Sequence, residues 1–530
     1  MATAAGRTRR FARPRVTPRR LLARLPRELA LLLLVVALVG FTWALVMPPW
    51  GAPDEDVHFA YTQTLAERHD LPGGPQQGVS TEQRLSMDVS NTDQVVFFNF
   101  AKPDWSEASA RNWRQMTKTV PRGDGGGSNA ASDYPPAYYL YQLIPYELAS
   151  SADIHTRLFV MRLFSVLWLL VTTVAAWLLA GEVFGPGNRP LQLVSAATFA
   201  LWPMLTFVSS AINPDSMLVA LWTLATWLGT VIIRRGLTLR RTVGICLCVG
   251  VAMVTKATSL ALLPPFAFAL GVGAWRLRRK VTARHLAWAA GAVAAFGTPV
   301  LAWIFVARGA GHAAYGQASI VTPGGSGSGA ASGTSGGAPT YAPSGNIRYL
   351  ASYLWQFYLP RLWFMKDQRL LFPVISHYPA YQVWLASGWA SFGWVNIWFP
   401  AWVYRIFLAV VIAVAAGAAV TLRRGLKVIR AHAGGLRRAP WALTLFFAIT
   451  IGTLLAGLHW TDFHMLVDGK PPFVQGRYML PVGALLALVV TQAVRAVPQR
   501  FRTIAIACVL GGLVAFQIAA LALVASRYYT

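Results

Sequence analysis

Long apolar runs separated by short polar or basic segments dominate the pattern of this chain. Many of them have the length of about 17 to 25 residues that a helix needs to cross a bilayer. We place such runs at 29–47, 158–180, 191–211, 216–233, 285–307, 402–421, 441–458, 478–494 and 503–525. The pattern predicts a bundle of membrane-spanning helices.

One further apolar stretch, 242–275, has arginines at both ends and is too long for one ordinary crossing. A single crossing would place every later basic loop on the opposite side of the membrane. We therefore predict two short crossings with Lys256 at the turn between them. The expected fold is an all-α polytopic membrane protein with about eleven spans and two large extracytoplasmic loops.

These spans divide the chain into six segments. They are a cytoplasmic basic tail at 1–28, the first span at 29–47, an outer loop at 48–156, spans two to seven at 157–307, a second outer loop at 308–401, and spans eight to eleven at 402–530. Within the second loop, 323–339 consists almost wholly of Gly, Ser, Ala and Thr, so we predict that it is disordered.

Composition supports the membrane assignment. Hydrophobic residues make up 55% of the 530 residues and charged residues only 13%, too few to cover a soluble globule of this size. This excludes a soluble enzyme and a disordered chain. The three cysteines lie within apolar runs at spacings that fit no zinc or redox motif, so a disulfide-stapled secreted scaffold is also excluded.

The net charge of +27 raises the question of nucleic-acid binding. With the N-terminus inside, 28 of the 47 basic residues fall in the predicted cytoplasmic segments, against only Glu28 and Glu182 among the 20 acidic ones. The positive-inside rule therefore accounts for the whole excess of charge. No basic patch is left for a nucleic acid, and the expected partner is the lipid bilayer.

An acidic motif follows the first span directly, where residues 53–58 read Pro-Asp-Glu-Asp-Val-His. Adjacent carboxylates repel one another, which raises the proton affinity of at least one and suits a general base. Asp54 and Glu55 are the candidate catalytic residues. The structural alternative is that an Asp here only caps the following helix.

Three other polar insertions share the outer side of the predicted bundle. Asp215 lies in an Asn-Pro-Asp-Ser turn, Lys256 interrupts an apolar hairpin, and Gln475, Arg477 and Tyr478 belong to a Gln-Gly-Arg-Tyr segment. Turn formation and snorkelling are the structural alternatives for these residues. Carboxylates and isolated cations on one side nevertheless favour a site for a hydroxyl acceptor and a phosphate-bearing donor.

The segment 459–464, His-Trp-Thr-Asp-Phe-His, offers candidate metal ligands, but its spacing matches no strong motif. Interfacial polar residues are the preferred interpretation.

Several of these motifs together resemble the GT-C glycosyltransferases, a superfamily of membrane enzymes. The resembling features are the acidic motif after one large apolar span, a Tyr-Pro-Pro-Ala-Tyr-Tyr segment at 134–139, and the Lys256 hairpin that ends in two prolines. Within that superfamily the chain looks most like an uncharacterised bacterial polytopic membrane family. That resemblance rests on Pro-Asp-Glu, Asn-Pro-Asp, Ser-Phe-Gly-Trp at 391–394 and Gln-Gly-Arg-Tyr, and it covers about 29–525.

The resemblance implies transfer of a sugar from a polyprenyl-phosphate donor to a glycan or glycolipid acceptor of the cell envelope, with inversion at the anomeric carbon. Asp54, or alternatively Glu55, would be the general base. Lys256 and Arg477 would bind the donor phosphate. His58 would orient the base or bind the acceptor, and Asp215, Gln475 and Tyr478 would position substrate.

The resemblance also implies a location and leaves the cofactor open. It places the protein in the bacterial inner (plasma) membrane, with a cytoplasmic N-terminus and an extracytoplasmic active site. A divalent cation, Mg²⁺ or Mn²⁺, is used by some members of the superfamily and not by others. The competing functions are a transporter or flippase of lipid-linked sugars and a non-catalytic envelope scaffold, although the two halves of the chain show no convincing internal repeat.

Overall fold

A computed structural model of the chain describes residues 25–98, 101–103, 106–116, 119–278, 282–309, 347–360, 362, 380–431, 441–468 and 474–530. The stretch 323–339, for which the sequence predicts disorder, and most of the basic tail 1–28 lie outside these residues.

Helices make up most of the described part of the chain. Nine of the helices described there are long and apolar enough to cross a membrane. They are Arg27–Val46, Ile154–Phe184, Asp215–Arg235, Ala257–Leu277, Ala283–Gly309, Ala401–Lys427, Trp441–Val467, Gly476–Ala496 and Gln499–Tyr529. Helices suit the bilayer because each satisfies its own backbone hydrogen bonds. The expected class, an all-α polytopic membrane protein, is confirmed.

The remaining two predicted spans take a different form. The run 191–211 folds as two short helices, Arg189–Ala200 and Pro203–Val208, because Pro203 cannot continue the first of them. The run 242–275 is indeed interrupted near Lys256, where Leu239–Met253 ends and Ala257–Leu277 begins. Leu239–Met253 is only 15 residues long, so the count of eleven crossings stays a prediction.

The segment 48–156, for which the sequence predicts an outer loop, contains several helices in its described part. Its α-helices are Glu55–Arg68, Thr81–Val89, Glu107–Met116 and Ala137–Leu148, with a π-helical turn at Asp93–Phe97. Buried aromatic side chains join this segment to the membrane helices; they include Trp50, Phe59, Tyr61, Tyr138 and Tyr146. The loop therefore forms a fixed surface at one end of the bundle.

Further short elements lie at the same end and in the C-terminal half. The helix Ile347–Tyr358 is followed by a π-helical segment Tyr381–Ser387 and a turn of helix Gly388–Ala390. Strands Ser391–Phe392 and Ile397–Trp398 then pair in an antiparallel hairpin. The indole N–H of Trp394 in this hairpin donates to the carbonyl of Trp50, which connects the hairpin to the residues just before the acidic motif.

A buried ion pair joins the acidic motif to the second membrane helix, Ile154–Phe184. All three side-chain nitrogens of Arg162 are engaged: they donate to both carboxylate oxygens of Glu55, at 2.8 and 2.6 Å, and to the carbonyls of Ala44, Met47 and Pro48. These five bonds use all five N–H groups of the guanidinium. The carbonyl groups at the end of the first helix therefore find partners without water.

We expect Arg162→Leu to destabilise the protein by about 3–5 kcal/mol, because Glu55 would be left buried without its counter-charge. Reversible unfolding in detergent measures this change. Arg111→Ala, which breaks an exposed pair with Glu107, is the control and should cost less than about 1 kcal/mol. If the two substitutions changed the free energy of unfolding equally, the buried pair would not stabilise the protein more than the exposed one.

Candidate functional site

Asp54 precedes the helix Glu55–Arg68 at the N-cap position, yet its side chain makes no capping hydrogen bond to the described residues. Its Oδ2 instead accepts a hydrogen bond of 2.8 Å from Nη2 of Arg477. Asp54 has a φ of 62° and nearby Trp50 a φ of 63°, conformations that cost energy for residues other than glycine. Such strain often occurs at functional sites. The capping alternative for Asp54 is therefore wrong.

The Asn-Pro-Asp turn lies against the acidic motif. The backbone N–H of Ile212 donates to Oε1 of Glu55, and the side-chain amide of Asn213 reaches the carbonyl of Pro53. The Oδ1 of Asn213 accepts from the backbone N–H of Asp215, as is usual in an Asx turn. These bonds bring Asp215 to the same end of the bundle as Asp54.

Lys256 forms an ion pair with Asp215. Its Nζ donates to Oδ1 of Asp215 at 2.6 Å and lies 5.7 Å and 5.3 Å from the ring centroids of Tyr134 and Tyr478. Burial alone would lower the pKa of Lys256, but the charge of Asp215 outweighs it and raises the pKa above its usual value. The ammonium group therefore stays charged between a carboxylate and two aromatic faces.

Arg477 lies at the start of the 3₁₀ segment Gly476–Val482, and its side chain is only 8% exposed. The position of this segment depends on Gly476, because a Cβ there would overlap the backbone nitrogen of Gly388 and the carbonyl oxygen of Val383. The Ser387 hydroxyl also accepts from the backbone N–H of Gly476. A close contact between two backbone segments thus fixes the guanidinium.

A small pocket lies between the two ion pairs. It is lined by Asp215, Leu218, Val219, Thr258, Arg477, Tyr478 and Pro481. Three polar atoms of these lining residues are buried without a hydrogen-bond partner among the described residues: Oδ2 of Asp215, and Nε and Nη1 of Arg477. Buried groups of this kind usually find a partner, so their presence here marks a place where a polar ligand would fit.

Of the other predicted site residues, Tyr478 lines this pocket, whereas His58, Gln475 and Glu55 are not among its lining residues. The Nδ1 of His58 is 2.9 Å from the Tyr139 hydroxyl and not bonded to Asp54. Burial lowers the pKa of His58 to about 4, so the imidazole is neutral at neutral pH. Gln475 precedes the 3₁₀ segment, and its Oε1 is buried without a partner among the described residues. Glu55 is fully buried against Arg162.

The segment 459–464 forms a second polar cluster near the site. Tyr353 has one O–H and donates it to Asp462, so it must accept from Nδ1 of His459. The Nε2 of the same ring lies 2.7 Å from the hydroxyl of Tyr358. Asp462 also accepts from the backbone N–H of Val474, directly before Gln475. This buried cluster contacts the residue before the Gln-Gly-Arg-Tyr segment, and the interfacial position of 459–464 stays a prediction.

The donor set does not fit a divalent ion at this end. Among the residues that the structure describes, no three His, Cys, Asp or Glu side chains converge in a way that could hold a metal. Asp54 and Asp215 each already face a cation, Arg477 and Lys256 respectively. A divalent ion there would have to lie beside two positive charges.

Sequence reasoning missed residues that hold the site in place. Arg162 lies inside an apolar run, and its charge at membrane depth was the signal that could have revealed it. The roles of Tyr134 beside Lys256 and Tyr139 beside His58 were also missed, although both belong to the Tyr-Pro-Pro-Ala-Tyr-Tyr segment that contributes to the resemblance.

The fold and the site together define a polytopic helical membrane protein with a buried cluster of opposite charges at one end of its bundle. The chain belongs to the family described as "Predicted membrane protein (DUF2142)", which it matches over residues 37–489. The matched region contains Asp54, Asp215, Lys256 and Arg477. No curated protein matches the sequence significantly.

We expect Gly476→Ala to destabilise the protein by about 1–3 kcal/mol, because the added methyl group meets backbone atoms that have nowhere to move. Unfolding in detergent measures the effect. Gly452→Ala is the matched control, since a Cβ at Gly452 meets nothing within 4 Å. If both variants were as stable as the wild type, the close contact of Gly476 with Gly388 would not be needed for stability.

Asp56 should make the stability depend on pH. Burial, together with the charges of Asp54 and Glu55, raises the pKa of Asp56 from 3.8 to about 6. The folded state thus favours the protonated acid, and this contribution is lost as pH rises from about 4 through about 6. We expect Asp56→Asn to be more stable than the wild type above pH 6 and equal to it below pH 4.

Thermal unfolding of both proteins across this pH range measures the difference. Asp88→Asn, at an exposed position of the same outer loop, is the control and should follow the wild type throughout. A constant offset between Asp56→Asn and the wild type at all pH values would contradict the titration of Asp56 as its cause.

Proposed function

We propose that this protein is a GT-C type membrane glycosyltransferase. It transfers a sugar from a polyprenyl-phosphate-linked donor to an acceptor hydroxyl of the cell envelope, on the extracytoplasmic side of a bacterial inner membrane. The observation that carries the proposal is that Asp54 and Lys256 form ion pairs with Arg477 and Asp215, two residues that line one pocket at one end of the bundle. Scaffolding gives no reason for this charge arrangement, whereas transporters also use buried charges, so transport stays the competing function.

The roles of the four residues follow from their chemistry. Asp54, whose side chain is 38% exposed, accepts the proton of the acceptor hydroxyl. Glu55 is not the base in this proposal, because Arg162 binds both of its oxygens. Asp215 holds Lys256, and His58, Gln475 and Tyr478 surround the substrate.

Bond making and breaking balance within this site. The acceptor oxygen attacks the anomeric carbon from the face opposite the phosphate, and the bond between that carbon and the phosphate oxygen breaks. The configuration inverts as a result. The acceptor proton ends on Asp54, and the negative charge leaves on the polyprenyl phosphate. Lys256 and Arg477 stabilise that charge as it develops, because fixed cations act strongly in a site that excludes water.

Sugar transfer by the purified protein tests the proposal. A panel of radiolabelled polyprenyl-phosphate sugars serves as donor and a cell-envelope extract as acceptor. We expect transfer by the wild type, unchanged by a chelator, and a loss of about 10²- to 10⁴-fold in Asp54→Asn because the general base is removed. Asp88→Asn, which removes an exposed carboxylate from the same loop, should keep full activity.

Two results would contradict the proposal at different levels. A fully active Asp54→Asn variant would remove Asp54 from the role of base and leave the reaction class in place. The absence of transfer from every donor, with folded wild-type protein, would instead favour a transporter or a scaffold.

A further inference from the structure

Arg162 and Arg477 are buried arginines at this end of the bundle, and they differ in how completely their hydrogen bonds are made. All five N–H groups of Arg162 are used by Glu55 and three carbonyls. Arg477 makes one ion pair, through Nη2 to Asp54, while its Nε and Nη1 are buried without a partner among the described residues. Buried donors without a partner cost free energy. Arg477 can therefore bind an acceptor in addition to Asp54.

The two members of the Asp54–Arg477 pair also differ in how firmly they are held. The guanidinium is 8% exposed and sits on a segment fixed by the contact of Gly476 with Gly388. The Asp54 side chain is 38% exposed and makes no capping hydrogen bond to the described residues. Asp54 is therefore the partner that can rotate away while Arg477 keeps its place.

A phosphate group suits Arg477, but side-by-side binding has to use Nη2, which Asp54 occupies, together with Nε or Nη1, because the N–H groups of Nε and Nη1 do not lie side by side. Two phosphate oxygens can bind a guanidinium side by side, and such bidentate pairs are stronger than a single hydrogen bond. Asp54 and the phosphate carry the same sign of charge, so the two compete for the guanidinium. Burial raises the pKa of Asp54, but the charges of Arg477 and Lys256 outweigh it and hold the pKa below its usual range. While the pair is closed, Asp54 is a weak base.

We propose that the Asp54–Arg477 ion pair is a latch, which the phosphate of the donor opens by taking Arg477 and thereby freeing Asp54 to accept a proton. The inference rests on the proposed function and adds an order of substrate binding to it. The donor binds first and activates the base, so an acceptor hydroxyl is not deprotonated in a site that holds no donor. Water that enters the empty site is likewise not activated.

Binding of a short polyprenyl phosphate tests the latch without any enzymatic assay. Farnesyl phosphate is titrated at pH 8 into the purified full chain in detergent, and heat release gives the affinity. In Asp54→Asn the competing carboxylate is gone, so we expect binding to tighten by about tenfold, within the range typical of coupled sites. Arg477→Gln should lose the binding, because its guanidinium is absent.

Asp56→Asn is the matched control, because it removes a carboxylate from the same motif that makes no ion pair with Arg477. We expect its affinity to change far less than that of Asp54→Asn. Asn tolerates the left-handed backbone at this position, and Asp54→Gly replaces it should Asn fail to fold, because glycine adopts that conformation without strain. Inorganic phosphate should show the same order of variants if the phosphate group alone opens the latch.

Each contrary result has a distinct meaning. Equal farnesyl phosphate affinity in the wild type and Asp54→Asn would overturn the latch while the phosphate site stands. Equal tightening by Asp56→Asn would also overturn it, since the effect would then be general repulsion. Farnesol binding as tightly as farnesyl phosphate in all variants would remove the phosphate from the recognition. No binding by any folded protein would overturn the latch and the proposed donor site together.

Discussion

The position of the site depends on the buried guanidinium of Arg162. Its five hydrogen bonds join the end of the first membrane helix, the second membrane helix and Glu55. Glu55 in turn accepts from the backbone of Ile212, so that one carboxylate connects three separate parts of the chain. Asp54 is next to Glu55 in the sequence, and Asp215 follows shortly after Ile212. The hydrogen bonds of Glu55 and Ile212 therefore determine where these two carboxylates lie. In a low-dielectric interior such a network holds only when every member is satisfied, which makes it rigid.

The buried charges of Arg162 and Glu55 differ from those of Arg477 and Asp215 in how completely their hydrogen bonds are made. Arg162 and Glu55 neutralise one another and have full hydrogen bonding, as is expected of a structural pair. Arg477 and Asp215 each keep buried polar atoms without a partner among the described residues, although each has a counter-charge. Incomplete hydrogen bonding together with a pocket that both residues line is the ground for assigning a ligand to Arg477 and Asp215. Nε of the buried Arg157 also has no partner among the described residues, but Arg157 does not line that pocket. The geometry thereby gives a criterion that residue type alone does not provide.

Much of the fold followed from the sequence because apolar length and the distribution of basic residues constrain a membrane protein strongly. The interruption at Lys256 was predictable for the same reason, since an ammonium group is costly within an apolar run. The grouping of Asp54, Asp215, Lys256 and Arg477 at one end was also predicted. Their pairing was not, because hydropathy patterns do not say which carboxylate faces which cation. The helical fold of 48–156 and the contact of Gly476 with Gly388 depend on tertiary packing, which leaves no periodic signal.

The measurement that tests the central claim most directly is a structure of the full chain in lipid nanodiscs with a polyprenyl-phosphate sugar bound. The account predicts phosphate oxygens within hydrogen-bond distance of Arg477 and Lys256, and the anomeric carbon of the sugar on the side of Asp54. A donor bound at the opposite end of the bundle, or a phosphate that contacts neither cation, would contradict it.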